Sequence, residues 1–195
     1  VRKRISLVVC IVLTVVLAFT VSVFAYSSEV HHILVTPVVQ AKTNWCWAAC
    51  AEMAGKYMYS VSNRSQYDVV NYIKGTPGDL YPDVAGSIAE TATGANYITY
   101  SNHSFSSIGM PFSFDAAHAA LGNHHPVLAG CAHFTGTGHM VTIYNTVKVI
   151  DAGVTYTYVN YYDPADGNGY VCTYSDFCDG TYNGYSYVET CYVLY

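Results

Sequence analysis

Charge is scarce in this chain. Asp, Glu, Lys and Arg make up 11% of 195 residues, against roughly 25% in an ordinary globular protein. Only eight residues are basic, and three of them, Arg2, Lys3 and Arg4, stand at the N-terminus. So few cations leave no electrostatic footprint for nucleic acid or for an anionic membrane surface. Proline is sparse as well, and no linker, repeat or low-complexity block divides residues 26–195, so they read as one domain. None of the eight histidines stands in a metalloprotease spacing. In place of charge the chain carries 20 tyrosines with many Ser, Thr and Asn, a surface suited to life outside the cell.

The longest apolar stretch is N-terminal. Val1-Arg2-Lys3-Arg4 precedes an apolar run from Ile5 to Phe19, and Val23-Phe24-Ala25 leads into the polar Tyr26-Ser27-Ser28-Glu29. A basic start, an apolar middle and small residues at the end describe a secretory signal peptide cleaved after Ala25. The expected product is a secreted protein with no stable membrane association; an uncleaved anchor is the alternative. Processing leaves five basic against 13 acidic residues and six of the seven cysteines. The short stretch from Tyr26 to Val39 has no room for an inhibitory prodomain, which leaves control to other means such as a separate inhibitor protein.

Gln40-Ala41-Lys42-Thr43-Asn44-Trp45-Cys46-Trp47 is the stretch around which the chain is organised. From Asn44 to Met58 apolar residues recur at helical spacing, with Glu52 and Lys56 on the opposite side. With Asn44 as N-cap, Cys46 falls in the first turn, where free backbone N–H groups and the helix dipole stabilise negative charge. A tetrahedral oxyanion formed on attack by Cys46 needs fixed donors, and the Cys46 N–H with the Gln40 side-chain amide supplies two. If Cys46 is a free nucleophile, Cys50, Cys131, Cys172, Cys178 and Cys191 remain. Two disulfides with one free thiol are expected in an oxidising compartment, Cys172 and Cys178 being able to close a small loop. Three disulfides that include Cys46 would abolish the catalytic reading.

Helices dominate the first half. Ser65 caps one that ends before Gly75, and Asp83–Ala92 reads as another, with a short strand expected at Tyr97–Tyr100. After a short helix from Phe114 to Leu121, segments rich in Val, Tyr and Thr read as strands: 126–134, 138–145, 154–162, 169–174 and 185–195. Helices followed by antiparallel strands make an α+β fold, with a cleft between the two halves.

A thiol hydrolase needs a base near neutral pH. His139 is the candidate, since Gly138-His139-Met140-Val141 opens a strand with a glycine that leaves room beside the imidazole. Asp163, at the strand end Tyr161-Tyr162-Asp163-Pro164, is placed to orient that imidazole. His124, His125 and His133 could instead join His139 around zinc, while His31-His32 falls in an N-terminal segment read as flexible. No cofactor or metal is called for by the thiol chemistry.

The order Gln40, Cys46-Trp47, Gly138-His139, Asp163 resembles the papain-like cysteine peptidases. The resemblance implies a papain-like fold, a peptide or protein substrate, and a catalytic set of Cys46, His139, Asp163 and Gln40. Cys46 and His139 are 93 residues apart, whereas papain and the cathepsins need about 130–150. The architecture is trimmed, as in compact bacterial members such as staphopains, effector proteases and the leader peptidases of bacteriocin exporters. An amidase or acyltransferase would use the same groups, and a non-catalytic binding module is the rival from a different class.

Overall fold

The computed structural model describes residues 26–75, 81–181 and 184–194. The segment read as a signal peptide lies outside them. Among the described residues no helix is long and apolar enough to cross a membrane. The chain forms β1 (Ser27–His32), α1 (Cys46–Met58), α2 (Gln66–Lys74), α3 (Ile88–Ile98), β2 (Phe105–Ile108), α4 (Phe114–Gly122), β3 (Val127–His133), β4 (Gly138–Asp151), β5 (Val154–Tyr162), β6 (Gly169–Thr173), α5 (Tyr174–Asp179) and β7 (Tyr185–Val193). This is an α+β fold of papain-like arrangement, with α1 to α3 beside an antiparallel sheet.

The sheet runs β2-β7-β3-β4-β5-β6. Its spine is β4, longer than the pattern 138–145 suggested because it changes neighbours midway. On one side residues 138–143 pair with β3 and residues 145–150 pair with β1, while β5 follows the other side almost throughout. The change falls at a bulge between Ile143 and Asn145, where an extra residue kinks a strand and re-aims its side chains. Residues 27–32, read as flexible, form β1 because this second half of β4 offers them an unpaired edge.

Helix α1 differs from the amphipathic reading. Residues 47–55 are all buried, so the helix is enclosed by α2 and α3 and by the sheet, as an Ala-rich sequence permits. Gly94 of α3 lets the helices close: a Cβ there would lie 2.6 Å from Val69 Cγ1 and 3.2 Å from Ala51 Cβ. Glu52, expected on the outer face, is 6% exposed. There its carboxylate accepts hydrogen bonds from Lys56 Nζ at 2.6 Å and from the Gln66 backbone N–H at 2.7 Å, which offset the cost of burying it.

Two further expectations are corrected. The helix expected at Asp83–Ala92 begins only at Ile88, with Ser87 as N-cap and Glu90 closing a capping box; residues 81–87 are non-helical. Tyr97 and Ile98, expected in a strand, finish α3. Left-handed backbone at Tyr100 and Ser101 then turns the chain toward β2.

Candidate active site

The N-terminus of α1 points into a cleft of about 490 Å³ between the helical half and the sheet, bordered by Cys46, Gln40, His139, Asp163, Ala85 and Tyr185. Trp45, in place of Asn44, is the N-cap residue, and it gives no side-chain cap. The first helical N–H groups therefore remain available at the mouth of the cleft.

Residues 81–86 form the wall beside that helix start. Trp45 Nε1 donates to Pro82 O at 2.9 Å and Trp47 Nε1 to Val84 O at 3.1 Å. Asn44 donates from its backbone N–H to Asp83 Oδ1 at 2.8 Å and from Nδ2 to Asp83 O at 3.2 Å, while Lys42 Nζ donates to Tyr81 O. These carbonyls are occupied from outside, which is why the segment is extended and not helical. Gly86 lies flat on the Trp47 indole, where a Cβ would stand 2.3 Å from the ring. Both tryptophans are fully buried, so the wall and α1 are one packed unit.

Across the cleft, β4 opens with Gly138 and His139. His139 Nε2 is 2.7 Å from Asp163 Oδ1, which leaves Nδ1 for Cys46, whose thiol borders the same cleft. Burial opposes the charged imidazole, but the hydrogen bonds to Asp163 and Cys46 outweigh it and push His139 up to about 9. Asp163 follows β5 directly, and its Oδ1 also accepts the Ala165 N–H at 2.8 Å, so the turn-forming and imidazole-orienting roles share one carboxylate. The chain thus brings Cys46, His139 and Asp163 together at one cleft, with His139 and Asp163 hydrogen-bonded.

Gln40 borders the same cleft, yet its amide faces inward. Nε2 donates to Lys42 O at 3.0 Å and to Thr43 O at 2.6 Å, and Oε1 is buried without a partner. Its backbone N–H donates to Pro164 O at 2.7 Å, joining the Gln40 loop to the Asp163 turn. Sequence reasoning missed Gln66, which holds this loop from both sides. Gln66 Oε1 accepts from Ala41 N–H at 2.8 Å and Nε2 donates to Val39 O at 2.9 Å. At the first position of a short helix Gln66 looks like a surface residue; only its burial against Glu52 reveals the role.

A side cavity of about 90 Å³ continues from Cys46 past Gly86, Cys131 and Met140 to Glu189. The Glu189 side chain lies over Gly130, and burial raises its carboxyl above the usual range.

The expected disulfides are absent among the described residues: Cys46, Cys50, Cys131, Cys172, Cys178 and Cys191 are all free thiols. Cys172 sits in β6 with Cys178 in α5, and the Cys178 thiol meets the Tyr174 hydroxyl instead of a partner sulfur. Burial pushes up Cys50, Cys131, Cys172, Cys178 and Cys191, Cys172 to about 11, a setting that makes a thiol inert. Cys46 alone lies at the cleft against an imidazole. His124, His125, His133 and His139 form no metal-ligand group; among the described residues such a group occurs at Glu29, His31 and His118.

No curated protein matches the chain. The model of the Peptidase_C39 like family matches residues 32–190, from the end of β1 into β7, and includes Cys46, His139 and Asp163. The chain therefore belongs to the Peptidase_C39 like family, a papain-like cysteine peptidase family.

Proposed function

We propose that the protein is a secreted cysteine peptidase acting through Cys46, His139 and Asp163. The observation that carries this reading is the convergence of Cys46, His139 and Asp163 on one cleft, with His139 hydrogen-bonded to Asp163 at 2.7 Å. His139 takes the thiol proton, and the Cys46 thiolate attacks the scissile carbonyl. The oxyanion is held by the Cys46 N–H and by Gln40, whose Nε2 exchanges one of its loop acceptors, Lys42 O or Thr43 O, for the developing charge. His139 then protonates the leaving amine, and water delivered through the same base hydrolyses the thioester. Asp163 fixes the imidazole with Nδ1 toward the sulfur. The cleft admits an extended peptide, and the side cavity receives the side chain next to the scissile bond, with Glu189 at its far end. Residues 1–25 direct secretion and are removed, so that N-terminal sequencing of the exported protein should begin at Tyr26.

The pH dependence of iodoacetamide alkylation, located by mass spectrometry, tests the thiol. Cys46 should label fastest of the six, and His139→Ala should remove that advantage. Slow labelling of Cys46 with an ordinary profile overturns the mechanism. Product analysis on peptide mixtures separates peptide-bond hydrolysis from side-chain amide hydrolysis and acyl transfer.

A further inference from the structure

We infer that Glu29, His31 and His118 form a binding site for a divalent transition-metal ion of the zinc class at the junction of β1, α4 and β4. Glu29 and His31 are two residues apart on β1, so they share one face of the strand, and α4 brings His118 against that face. The two imidazoles stack with ring centroids 3.9 Å apart.

Each ring is anchored through its other nitrogen. His31 Nδ1 lies 2.6 Å from the His118 carbonyl oxygen, an acceptor only, so Nδ1 carries the proton and Nε2 presents a lone pair. His118 Nδ1 is 2.8 Å from Thr146 Oγ1 on β4, a bond that likewise frees Nε2 when the ring donates. An imidazole whose far N–H is held by a backbone or side-chain oxygen is the arrangement that orients a metal-ligating histidine. Gly122, at the end of α4, makes room for the first ring: a Cβ there would lie 2.6 Å from His31 Cε1.

Both Nε2 atoms face the Glu29 carboxylate. His31 Nε2 is 3.4 Å from Oε1 and His118 Nε2 is 3.4 Å from Oε2. Those separations are long for hydrogen bonds, and one ligand atom from each of the three residues lies within 4.8 Å of the others, so an ion reaches all three once one ring turns out of the stack. His118 is 6% exposed, and its Nε2 is buried with no hydrogen-bond partner, a costly state for an isolated polar atom. A cation between the three groups would satisfy it. Lys148, opposite Glu29 in the β1–β4 register, is turned aside to Asp115 at 3.4 Å. With Glu29 59% exposed, a fourth position opens to solvent for water. The ion would tie β1 to α4, a structural duty independent of the thiol chemistry.

The test is a titration of the full chain, untagged and carrying Cys46→Ala so that the cleft thiol cannot bind metal, with Co²⁺ and Zn²⁺ after chelator treatment. One equivalent of Co²⁺ should give the visible bands of a four-coordinate ion, and Zn²⁺ should raise the Tm. Glu29→Gln and His31→Gln should each weaken binding by about 10²-fold, and Thr146→Val by about tenfold through the His118 ring. Circular dichroism checks that each variant is folded; Glu29 is exposed, so its variant keeps the test valid if His31→Gln or Thr146→Val does not fold. Absence of saturable binding, or binding that Glu29→Gln leaves unchanged, overturns the site.

Discussion

Strand β4 serves two histidine–carboxylate clusters, one at its beginning and one in its second half. At the first, His139 lies 2.7 Å from Asp163 and is pushed up to about 9. At the second, His118 is held by Thr146 with Glu29 at 3.4 Å, and it is pushed down from its ordinary value. Burial disfavours the charged ring in both. His139 overcomes this through hydrogen bonds to Asp163 and to Cys46, whereas His118 gains little from an exposed Glu29 and faces a second imidazole, His31. The same residue type beside the same kind of group is tuned to hold a proton in one place and to keep a lone pair in the other. The third member of each cluster, a thiol or a second imidazole, decides which.

The comparison can be broken most directly at the first cluster. Cys46→Ala and His139→Ala should each lower kcat by about 10⁴-fold or more, measured on a peptide substrate, while His139→Ala leaves Co²⁺ binding at Glu29 unchanged. If His139→Ala retained activity, the two clusters would not differ in function at all.

Asp163→Asn should make the first cluster resemble the second. His139, with its pKa near 9, keeps its proton below that value and loses it above, so wild-type activity should fall as pH rises through about 9. Without the carboxylate this alkaline limb should move to lower pH and kcat should drop by about 10²-fold. The stability linkage has the same sign. A raised histidine contributes stability fully below its unfolded pKa, near 6.5, and loses it as pH climbs through about 9. Urea midpoints measured across that window should decline in the wild type and flatten in Asp163→Asn.

Gln40→Ala should lower kcat by about 10²-fold with little change in KM. A change in KM alone would assign Gln40 to loop support through Lys42 and Thr43. The smallest effect is expected in the side cavity. Glu189→Gln should lower kcat/KM by about fivefold for peptides with a basic side chain next to the scissile bond, and not for neutral ones, in line with about 1 kcal/mol for a partly exposed charge pair.

Much of the first cluster is legible in the sequence because short-range rules specify it. Cys46 sits at a helix start, His139 opens a strand after a glycine, and Asp163 ends one before a proline. The strands from β3 to β5 and β7 announce themselves by Val, Tyr and Thr. What escapes is decided by distant partners. Residues 83–87 have a helical pattern, yet the Asp83 and Val84 carbonyls are taken by the Asn44 amide and the Trp47 indole. Ser27–His32 has Val30 as its one apolar residue and becomes a strand because β4 outruns β3. Glu52 and Gln66 look like surface residues until their mutual hydrogen bond buries them. The expectation of two disulfides among the five cysteines other than Cys46 rests on an oxidising compartment, which does not say where the thiols point.

The wall at residues 81–86 has a consequence for how recognition can change. Tyr81, Pro82 and Val84 accept the Lys42, Trp45 and Trp47 donors through main-chain oxygens, which every amino acid possesses. Asp83 adds a side-chain hydrogen bond, the Tyr81 ring packs edge-on against Trp45 and Tyr67, and Gly86 sets a strict size limit. Val84 and Ala85 are exposed, so substitutions there alter what a substrate meets while the scaffold that positions Cys46 stays as it is. Diversification of the rim is thereby uncoupled from preservation of the nucleophile, and libraries randomised at Val84 and Ala85 should yield altered substrate preferences with few unfolded members.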